Sequence, residues 1–406
     1  MENMVVAGLD IGTTKIACII AEIGEDGELK LTGVGSCPSG GALRKGIVYE
    51  IDKTIQVIEE AVKQAELMAG VDLNDVWVGI SGEHIKSMSS TGPVAITKEV
   101  TQKDIERAAE SARAIDIPAN NQMLHVITQG FKLDQQDGIK NPLGMSGVRL
   151  ETQVHIITAE ATQLRNLAKC VEGAGVNLNK FVLGPLASSY AVLGKDEKEL
   201  GVALIDIGGG TTDVAVYVDG NICHTSIVGL GGDYITKDIR ELLRCPPEKA
   251  EDLKKKDGCA FQPLLRGNER IMVPGFDGRD DKEEGREFLV RVIEARVEEI
   301  LSLAMREIKK TQYFDMLSAG VVLTGGSAMM EGMREKAENV FQRPVRIGAP
   351  RGFGGLADAA NSPLYSTGVG LCMYAAEEIG SRHCGNSGAG RQSPLTAVKD
   401  FFKKFF

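Results

Sequence analysis

The feature that most constrains the fold is a repeat. Val5-Val6-Ala7-Gly8-Leu9-Asp10-Ile11-Gly12-Thr13-Thr14-Lys15 recurs in outline as Val202-Ala203-Leu204-Ile205-Asp206-Ile207-Gly208-Gly209-Gly210-Thr211-Thr212-Asp213. Each copy is an apolar strand ending in an aspartate, a Gly-Thr turn and a second apolar strand, Ile16 to Ala21 in one and Val214 to Val218 in the other. That pattern is a β-hairpin with a glycine-rich tip, used twice, and it predicts an α/β chain built from two related halves. A third apolar strand, Val321-Val322-Leu323-Thr324, ends in Gly325-Gly326-Ser327 and precedes a helix from about Met330 to Phe341.

Between the copies, Lys53 to Ala69 carries apolar residues at the helical period, and Val76 to Ser81 reads as a strand. The texture then changes. Thr101 caps a helix running to about Ile115, strands from Gln122 to Leu133 and from Val148 to Thr158 flank a polar loop at 134–147, and a helix follows from Ala161 to Gly173. After the second copy a helix starts at Gly231. The stretch from Cys245 to Glu287, with Lys254-Lys255-Lys256 and Asp280-Asp281-Lys282-Glu283-Glu284, reads as a solvated face, and Phe288 to Lys310 as a long amphipathic helix.

An aspartate at a strand end followed by Gly and Thr offers backbone N–H groups to phosphate oxygens, and its carboxylate can hold water on a magnesium ion. Hairpin geometry alone requires no carboxylate at either turn. Neither a G-x-x-x-x-G-K-[ST] loop nor a G-x-G-x-x-G fingerprint is present, so phosphates would sit between two hairpins rather than on one helix N-terminus. The net charge of −10 argues against nucleic acid as a partner. No run approaches the length of a spanning helix, and the eight cysteines show no metal or redox spacing, which fits a reducing cytosol. His84, His125, His155, His224 and His383 are isolated; His125 and His155 alternate with apolar residues as ordinary strand histidines do.

The paired Asp-Ile-Gly loops at Asp10 and Asp206, with Leu323-Thr324-Gly325-Gly326-Ser327, resemble the two phosphate loops and the adenosine loop of the actin, Hsp70 and sugar-kinase superfamily. Ile80-Ser81-Gly82-Glu83-His84-Ile85, Asn141-Pro142-Leu143-Gly144-Met145, Gly184-Pro185-Leu186-Ala187-Ser188-Ser189-Tyr190 and Val345-Arg346-Ile347-Gly348-Ala349-Pro350 resemble, within it, the bacterial FtsA cell-division family. The resemblance implies an actin-like, duplicated two-lobe α/β fold. Residues 1–82 and 160–200 would form the first lobe, 83–159 an inserted α+β subdomain, 201–230 and 302–379 the second lobe, and 231–301 a small subdomain. It also implies ATP with Mg2+ as cofactors. Asp10 and Asp206 would hold the magnesium waters, while Gly12, Thr13, Thr14, Gly208, Gly209, Gly210, Thr211, Thr212 and Asp213 cradle the phosphates and Lys15 faces them. Gly325, Gly326 and Ser327 would meet adenosine, with Gly232, Asp233 and Lys237 closing from the other lobe. Lys237 also reads as a plain solvated helix lysine.

Hydrolysis is a separate matter. In the helix from Ala161 to Glu172, where the resemblance implies a side chain that orients the attacking water, Gln163, Asn166 and Glu172 carry no assignable role, so turnover is expected to be slow. The partners implied by the resemblance are the tubulin-like protein FtsZ, further copies of the chain, later division proteins and the inner face of the membrane. Arg296, in the small subdomain, is the candidate FtsZ contact, and it reads equally as an ion-pair partner for nearby glutamates. Residues 380–392 read as a flexible linker and 393–406 as an amphipathic helix. Ser393 and Pro394 start that helix, Leu395, Val398, Phe401, Phe402 and Phe405 line one face, and Lys399, Lys403 and Lys404 line the other. Such a helix is about 21 Å long, too short to span a bilayer, and would lie in its interface. The alternatives are a small-molecule kinase of the same superfamily, which has no use for such a tail, and the related pilus-assembly actin homologue.

Overall fold

The repeated motif folds as its pattern requires. In the computed structural model, which describes residues 4–24, 27–276 and 280–386, with side chains through residue 380, Met4–Ile11 (β1) pairs antiparallel with Lys15–Ile23 (β2). Leu29–Pro38 (β3) continues the meander. β2 is buried without interruption from Ile16 to Ala21, which is why it reads as an unbroken apolar run. A short ribbon, Leu43–Arg44 (β4) with Ile47–Val48 (β5), leads to helix Ile51–Ala69 (α1). The α1 residues Val57, Ile58, Ala61, Val62 and Ala65 are buried against β3, where a Cβ on Gly35 would lie only 1.9 Å from the Ala61 carbonyl oxygen. Gly70, left-handed at φ 69°, ends the helix. Asp75–Ile80 (β6) then pairs parallel with β1.

From here the chain leaves to build a separate sheet. Ile85–Ala95 (β7), helix Gln102–Arg113 (α2), Asn121–Leu133 (β8), Gln136–Ile139 (β9) and Arg149–Glu160 (β10) assemble in the order β7-β10-β8-β9, with α2 packed on β7 and β10. The capping box at Thr101 is made: the Asp104 N–H donates to Thr101 Oγ1 at 3.3 Å and the Thr101 N–H to Asp104 Oδ2 at 3.0 Å. β7 escapes the sequence pattern because Ser87, Ser89, Ser90 and Thr91 give it the polar composition of an edge strand. β9 likewise lies within what reads as a polar loop. The chain returns through Ala161–Gly173 (α3), Asn177–Leu183 (β11), Gly184–Val192 (α4) and Lys195–Leu200 (α5).

The second half repeats the first. Val202–Ile207 (β12) and Thr212–Val218 (β13) form the second hairpin, and Asn221–Val228 (β14) extends it. Gly232–Leu243 (α6), Pro247–Lys256 (α7), the ribbon Arg270–Val273 (β15) with Lys282–Gly285 (β16), and Arg286–Lys309 (α8) precede Val321–Thr324 (β17), which pairs parallel with β12. Met333–Phe341 (α9) and Val345–Ile347 (β18) follow. The order β14-β13-β12-β17-β18 corresponds strand for strand to β3-β2-β1-β6-β11, so the duplication seen in sequence is a duplication of topology.

Two expectations change. Gly354–Gly355 (β19) pairs with β3, and after Ala357–Ala360 (α10) the helix Ser366–Asn386 (α11) packs on α4, β1 and β6, burying Val369, Leu371, Cys372 and Ala375 in the first core. β19 and α11, expected with the second lobe, therefore pack on the first, while the Pro363 carbonyl between them still accepts from the Gly325 N–H at 3.2 Å. α11 also runs through Asn386, so the backbone of residues 380–386 is helical where a flexible linker was expected. The tail from 393 to 406, including Leu395, Val398, Lys399, Phe401, Phe402, Lys403, Lys404 and Phe405, lies outside the described residues.

Candidate functional site

The tips of the two hairpins meet and together line a cavity of about 900 Å³. Both tips close in the same way: the Gly12 N–H donates to the Lys15 carbonyl at 3.0 Å, and the Gly208 N–H to the Thr211 carbonyl at 2.9 Å. Asp10 and Asp206 stand at equivalent strand ends and, with Gly12, Thr13, Thr14 and Lys15 from the first loop and Gly208, Gly209, Gly210, Thr211 and Asp213 from the second, line the cavity. The Gly46 N–H, in the β4–β5 turn, fixes Thr13 by donating to its Oγ1 at 3.0 Å.

The cavity closes on lobe two through Gly325, Gly326, Ser327, Gly232 and Asp233. Helix α6 rests on the second loop, with the Gly232 and Asp233 N–H groups donating to the Gly208 and Gly209 carbonyls, each at 2.9 Å. Gly325 has φ 87°, and a Cβ there would fall 2.4 Å from Asp206 Oδ1, so only glycine fits. Thr212 lies outside the lining: fully buried, it donates from Oγ1 to the Leu230 carbonyl at 2.8 Å. Lys237 also lies outside it, exposed with Nζ 4.4 Å from the Tyr234 ring centroid, as its solvated reading expects. Arg296 is held by Asp238, at 2.6 Å and 3.0 Å, and by Glu299.

Electrostatics are concentrated at the hairpin ends. Burial pushes the Asp206 carboxyl up to about 6, against the hydrogen bond from Ser188 and together with the charge of Asp10. Burial pushes Asp213, directly opposite Asp206 in the β12–β13 register, up to about 8, the Asp206 charge adding to it. Asp10 is raised by burial and opposed by Lys15, whose own pKa burial lowers. Lys15 Nζ stands 3.7 Å from Asp10 Oδ2 and 4.9 Å from the Tyr365 ring centroid, with no hydrogen-bond partner. Among the described residues no group of three or more His, Cys, Asp or Glu side chains is placed to hold a metal ion directly.

Several lining residues escape the sequence reading. Lys254, within the charge run expected to be solvated, is 8% exposed; its Nζ donates to the Gly232 carbonyl at 3.2 Å and to Thr236 Oγ1 at 2.8 Å and pairs with Glu251 at 2.6 Å. The Glu-x-x-Lys spacing on one helix face was the available signal. The helix at 161–173, whose Gln163, Asn166 and Glu172 have no assigned role, stands away from the cavity. α3 contributes nothing to the lining, whereas the N-terminus of α4 does, through Gly184, which has no side chain to offer. His125 and His155 are strand histidines. The Leu183 N–H donates to His125 Nε2 at 3.0 Å, and His155 Nε2 lies 2.9 Å from Thr225 Oγ1.

The family described as "Cell division protein FtsA" matches residues 203–370, and the "SHS2 domain inserted in FTSA" matches residues 82–158. The cell division protein FtsA of Pseudomonas aeruginosa is 45% identical over 91% of this chain and 88% of its own length. The chain belongs to the FtsA family of cell division proteins. The FtsA of Neisseria meningitidis serogroup B is 46% identical over 92% of this chain and 90% of its own, and that of Escherichia coli K12 41% identical over 93% and 91%. Among solved structures, the "PilM-PilN type IV pilus biogenesis complex" matches with TM-score 0.64 at 15% identity over 92% of this chain and 99% of that one. MreB5 of Spiroplasma citri bound to ADP matches with TM-score 0.58 at 14% identity over 94% and 99%. These likenesses show the actin-like two-lobe fold, and the inserted sheet is the SHS2 domain of the FtsA family. No helix among the described residues is long and apolar enough to cross a membrane.

Proposed function

We propose that this FtsA-family chain binds ATP with Mg2+ between its lobes, self-associates, and tethers FtsZ filaments to the cytoplasmic face of the membrane at the division site, where it recruits later division proteins. The observation that carries the nucleotide reading is the Lys15 ammonium, buried in the cavity with the Asp10 carboxylate 3.7 Å away and no hydrogen-bond partner. Its N–H donors are left without an acceptor, and a phosphate oxygen is one that fits. The surroundings fit the group: two glycine-rich turns present backbone at one cavity, and MreB5 of Spiroplasma citri, a protein of this fold, has been solved bound to ADP and to AMPPNP.

Asp10 and Asp206 would hold waters of a magnesium ion rather than bind it directly, since the ion keeps several of its waters. Bound there, Mg2+ would neutralise phosphate charge. Gly325, Gly326 and Ser327, with Gly232, Asp233, Glu251 and Lys254, would enclose the nucleoside. Gly184 presents no group to orient water, which supports slow hydrolysis. The lobes of this reading are 1–82 with 160–200 and 201–230 with 302–353, with β19 and α11 packed on the first. The inserted subdomain at 83–159 would serve self-association and later division proteins, and the small subdomain at 231–301, with Arg296, would meet FtsZ.

The C-terminal residues 393–406 would lie in the membrane interface through Leu395, Val398, Phe401, Phe402 and Phe405, with Lys399, Lys403 and Lys404 near anionic headgroups. Each lysine there contributes on the order of 1 kcal/mol, and a polymer would gain by avidity. Deleting 393–406 tests this: sedimentation with anionic liposomes, and recruitment of FtsZ to them, should both be lost. Pelleting by the truncated chain would overturn the tether. Asp206→Asn should weaken Mg–ATP binding, and unchanged affinity would overturn the assignment of that carboxylate.

A further inference from the structure

The two carboxylates of the repeat are equivalent in sequence but not in how they are held. Asp10 faces Lys15 at 3.7 Å. Asp206 is gripped from behind: Ser188 Oγ, fully buried in α4, donates to Asp206 Oδ2 at 2.7 Å, and Thr367 Oγ1, in the first turn of α11, lies 3.4 Å from the same oxygen. The two hydroxyls are 3.0 Å apart. Ser188 has one proton and gives it to Asp206, so the Thr367 hydroxyl completes the arrangement by donating to Ser188 Oγ or to Asp206. Oδ2 is thereby tied to the wall, and Oδ1 lies beside Gly325, a cavity-lining residue. Elements from distant parts of the chain converge on one carboxylate oxygen, which strand β12 alone would leave free to rotate about its χ angles.

Resting on the nucleotide reading above, we propose that Ser188 and Thr367 are positioning residues that fix the Asp206 carboxylate for the water shell of a magnesium–nucleotide complex. Neither touches the nucleotide phosphates in this role; both act through Asp206. Asp206 is the fixed carboxylate of the pair, and Asp10, whose neighbour is the Lys15 ammonium, is the one that adjusts. Because Thr367 opens α11, the grip also ties the metal carboxylate to the helix that leads toward the C-terminal tail. A carboxylate that holds metal-bound water typically depends on such outer hydrogen bonds, and their loss costs about 10- to 100-fold in metal affinity.

The test compares the full chain with Ser188→Ala, Thr367→Val and Thr367→Ser. Affinity for a fluorescent ATP analogue is measured in excess EDTA and in millimolar Mg2+, and Mn2+ replaces Mg2+ for electron paramagnetic resonance of the bound ion. Ser188→Ala should lose about tenfold of the gain in affinity that Mg2+ brings, keep its affinity in EDTA, and alter the Mn2+ spectrum. Thr367→Val should lose less, and Thr367→Ser, which keeps the hydroxyl, should match the parent in both readouts. If Ser188→Ala and Thr367→Val keep the full Mg2+ gain and the parent spectrum, the positioning role is wrong while the nucleotide reading stands. Equal losses in EDTA and Mg2+ would show a merely structural role and overturn it as well. A parent chain that gains nothing from Mg2+ would overturn the metal reading of Asp206 itself.

Discussion

Thr14 fills the space that a side chain at position 209 would need: a Cβ on Gly209 would fall 2.2 Å from Thr14 Cγ2. Thr13 stands in the same relation to Gly210, with Oγ1 2.4 Å from the hypothetical Cβ. The two glycine-rich loops interlock residue by residue across the lobes. Neither Gly209 nor Gly210 has positive φ, so these two glycines are set by this close approach and not by the hairpin turn. Gly209→Ala should therefore push the loops apart and weaken ATP binding by at least about tenfold, the equivalent of an overpacked core site. Adding Thr14→Ala should recover part of the loss. Titration of a fluorescent ATP analogue reads both, and an unchanged affinity for Gly209→Ala would sink the interlock.

Lys15 makes a prediction that separates stability from binding. Its ammonium is buried, its pKa is lowered by that burial, and the Asp10 carboxylate stands 3.7 Å away. Lys15→Met keeps the packing and leaves Asp10 without that counter-charge, beside the charge of Asp206. The nucleotide-free chain should melt at a lower temperature, and ATP affinity should drop by on the order of tenfold or more. A lowered Tm with unchanged ATP affinity would mean that Lys15 is structural only.

Two strand histidines set a pH dependence. Burial, followed by the charges of Lys180 and His155, holds His125 at about 3, and burial with the charge of His224 holds His155 at about 4. Unfolded, both titrate near 6.5. Below that pH the unfolded chain takes up protons that the folded one refuses. Their contribution is complete above about pH 6.5 and shrinks as pH falls toward the folded values, by up to about 1.4 kcal/mol per pH unit for each. Asp206 and Asp213, at about 6 and 8, work the other way, costing stability as pH rises from about 4. The comparison is therefore with His125→Gln, which keeps an acceptor for the Leu183 N–H. Urea midpoints at pH 7.5, 6 and 5 should fall less steeply in the variant than in the parent, and parallel curves would contradict the assignment.

The repeat made the two hairpins and their aspartates legible, because a strand, a carboxylate and a Gly-Thr turn are local and were written twice. What stayed hidden depends on contacts between distant segments. Lys254 sits in a run of lysines that looks solvated, and only the packing of α7 beneath α6 turns its ammonium onto the Gly232 carbonyl. Ser188 and Thr367 are ordinary hydroxyls until α4 and α11 bring them to one oxygen of Asp206. β7 hid because an edge strand needs little apolar surface. Glycine runs predicted turns well and linkers poorly: Gly380 looked like a break, yet α11 passes through it, its preceding turns anchored by buried Val369, Leu371, Cys372 and Ala375.

The inserted sheet is rooted in the first half of the chain but fastened to the second. Ser87 Oγ of β7 donates to the Thr225 carbonyl at 2.7 Å, Gln129 Nε2 of β8 to the Ile222 and Cys223 carbonyls at 3.1 and 3.2 Å, and His155 of β10 meets Thr225 Oγ1. All of these land on β14, the edge strand of the second sheet, so that edge is met by side chains of the insertion. The seam is incompletely bonded: His155 Nδ1 is buried without a partner. An unpaired polar atom weakens an interface, and the seam should part while the sheets on either side stay folded. Replacing Ser87 and Gln129 together by alanine should then raise amide exchange in residues 85–95 and 221–228 by about tenfold, the equivalent of one or two lost hydrogen bonds. Exchange in β1, β2, β12 and β13 should not change. Saturating Mg–ATP, by holding the lobes together, should slow exchange at the seam in the parent. A rise spread evenly over the molecule would show instead that the seam opens only with global unfolding.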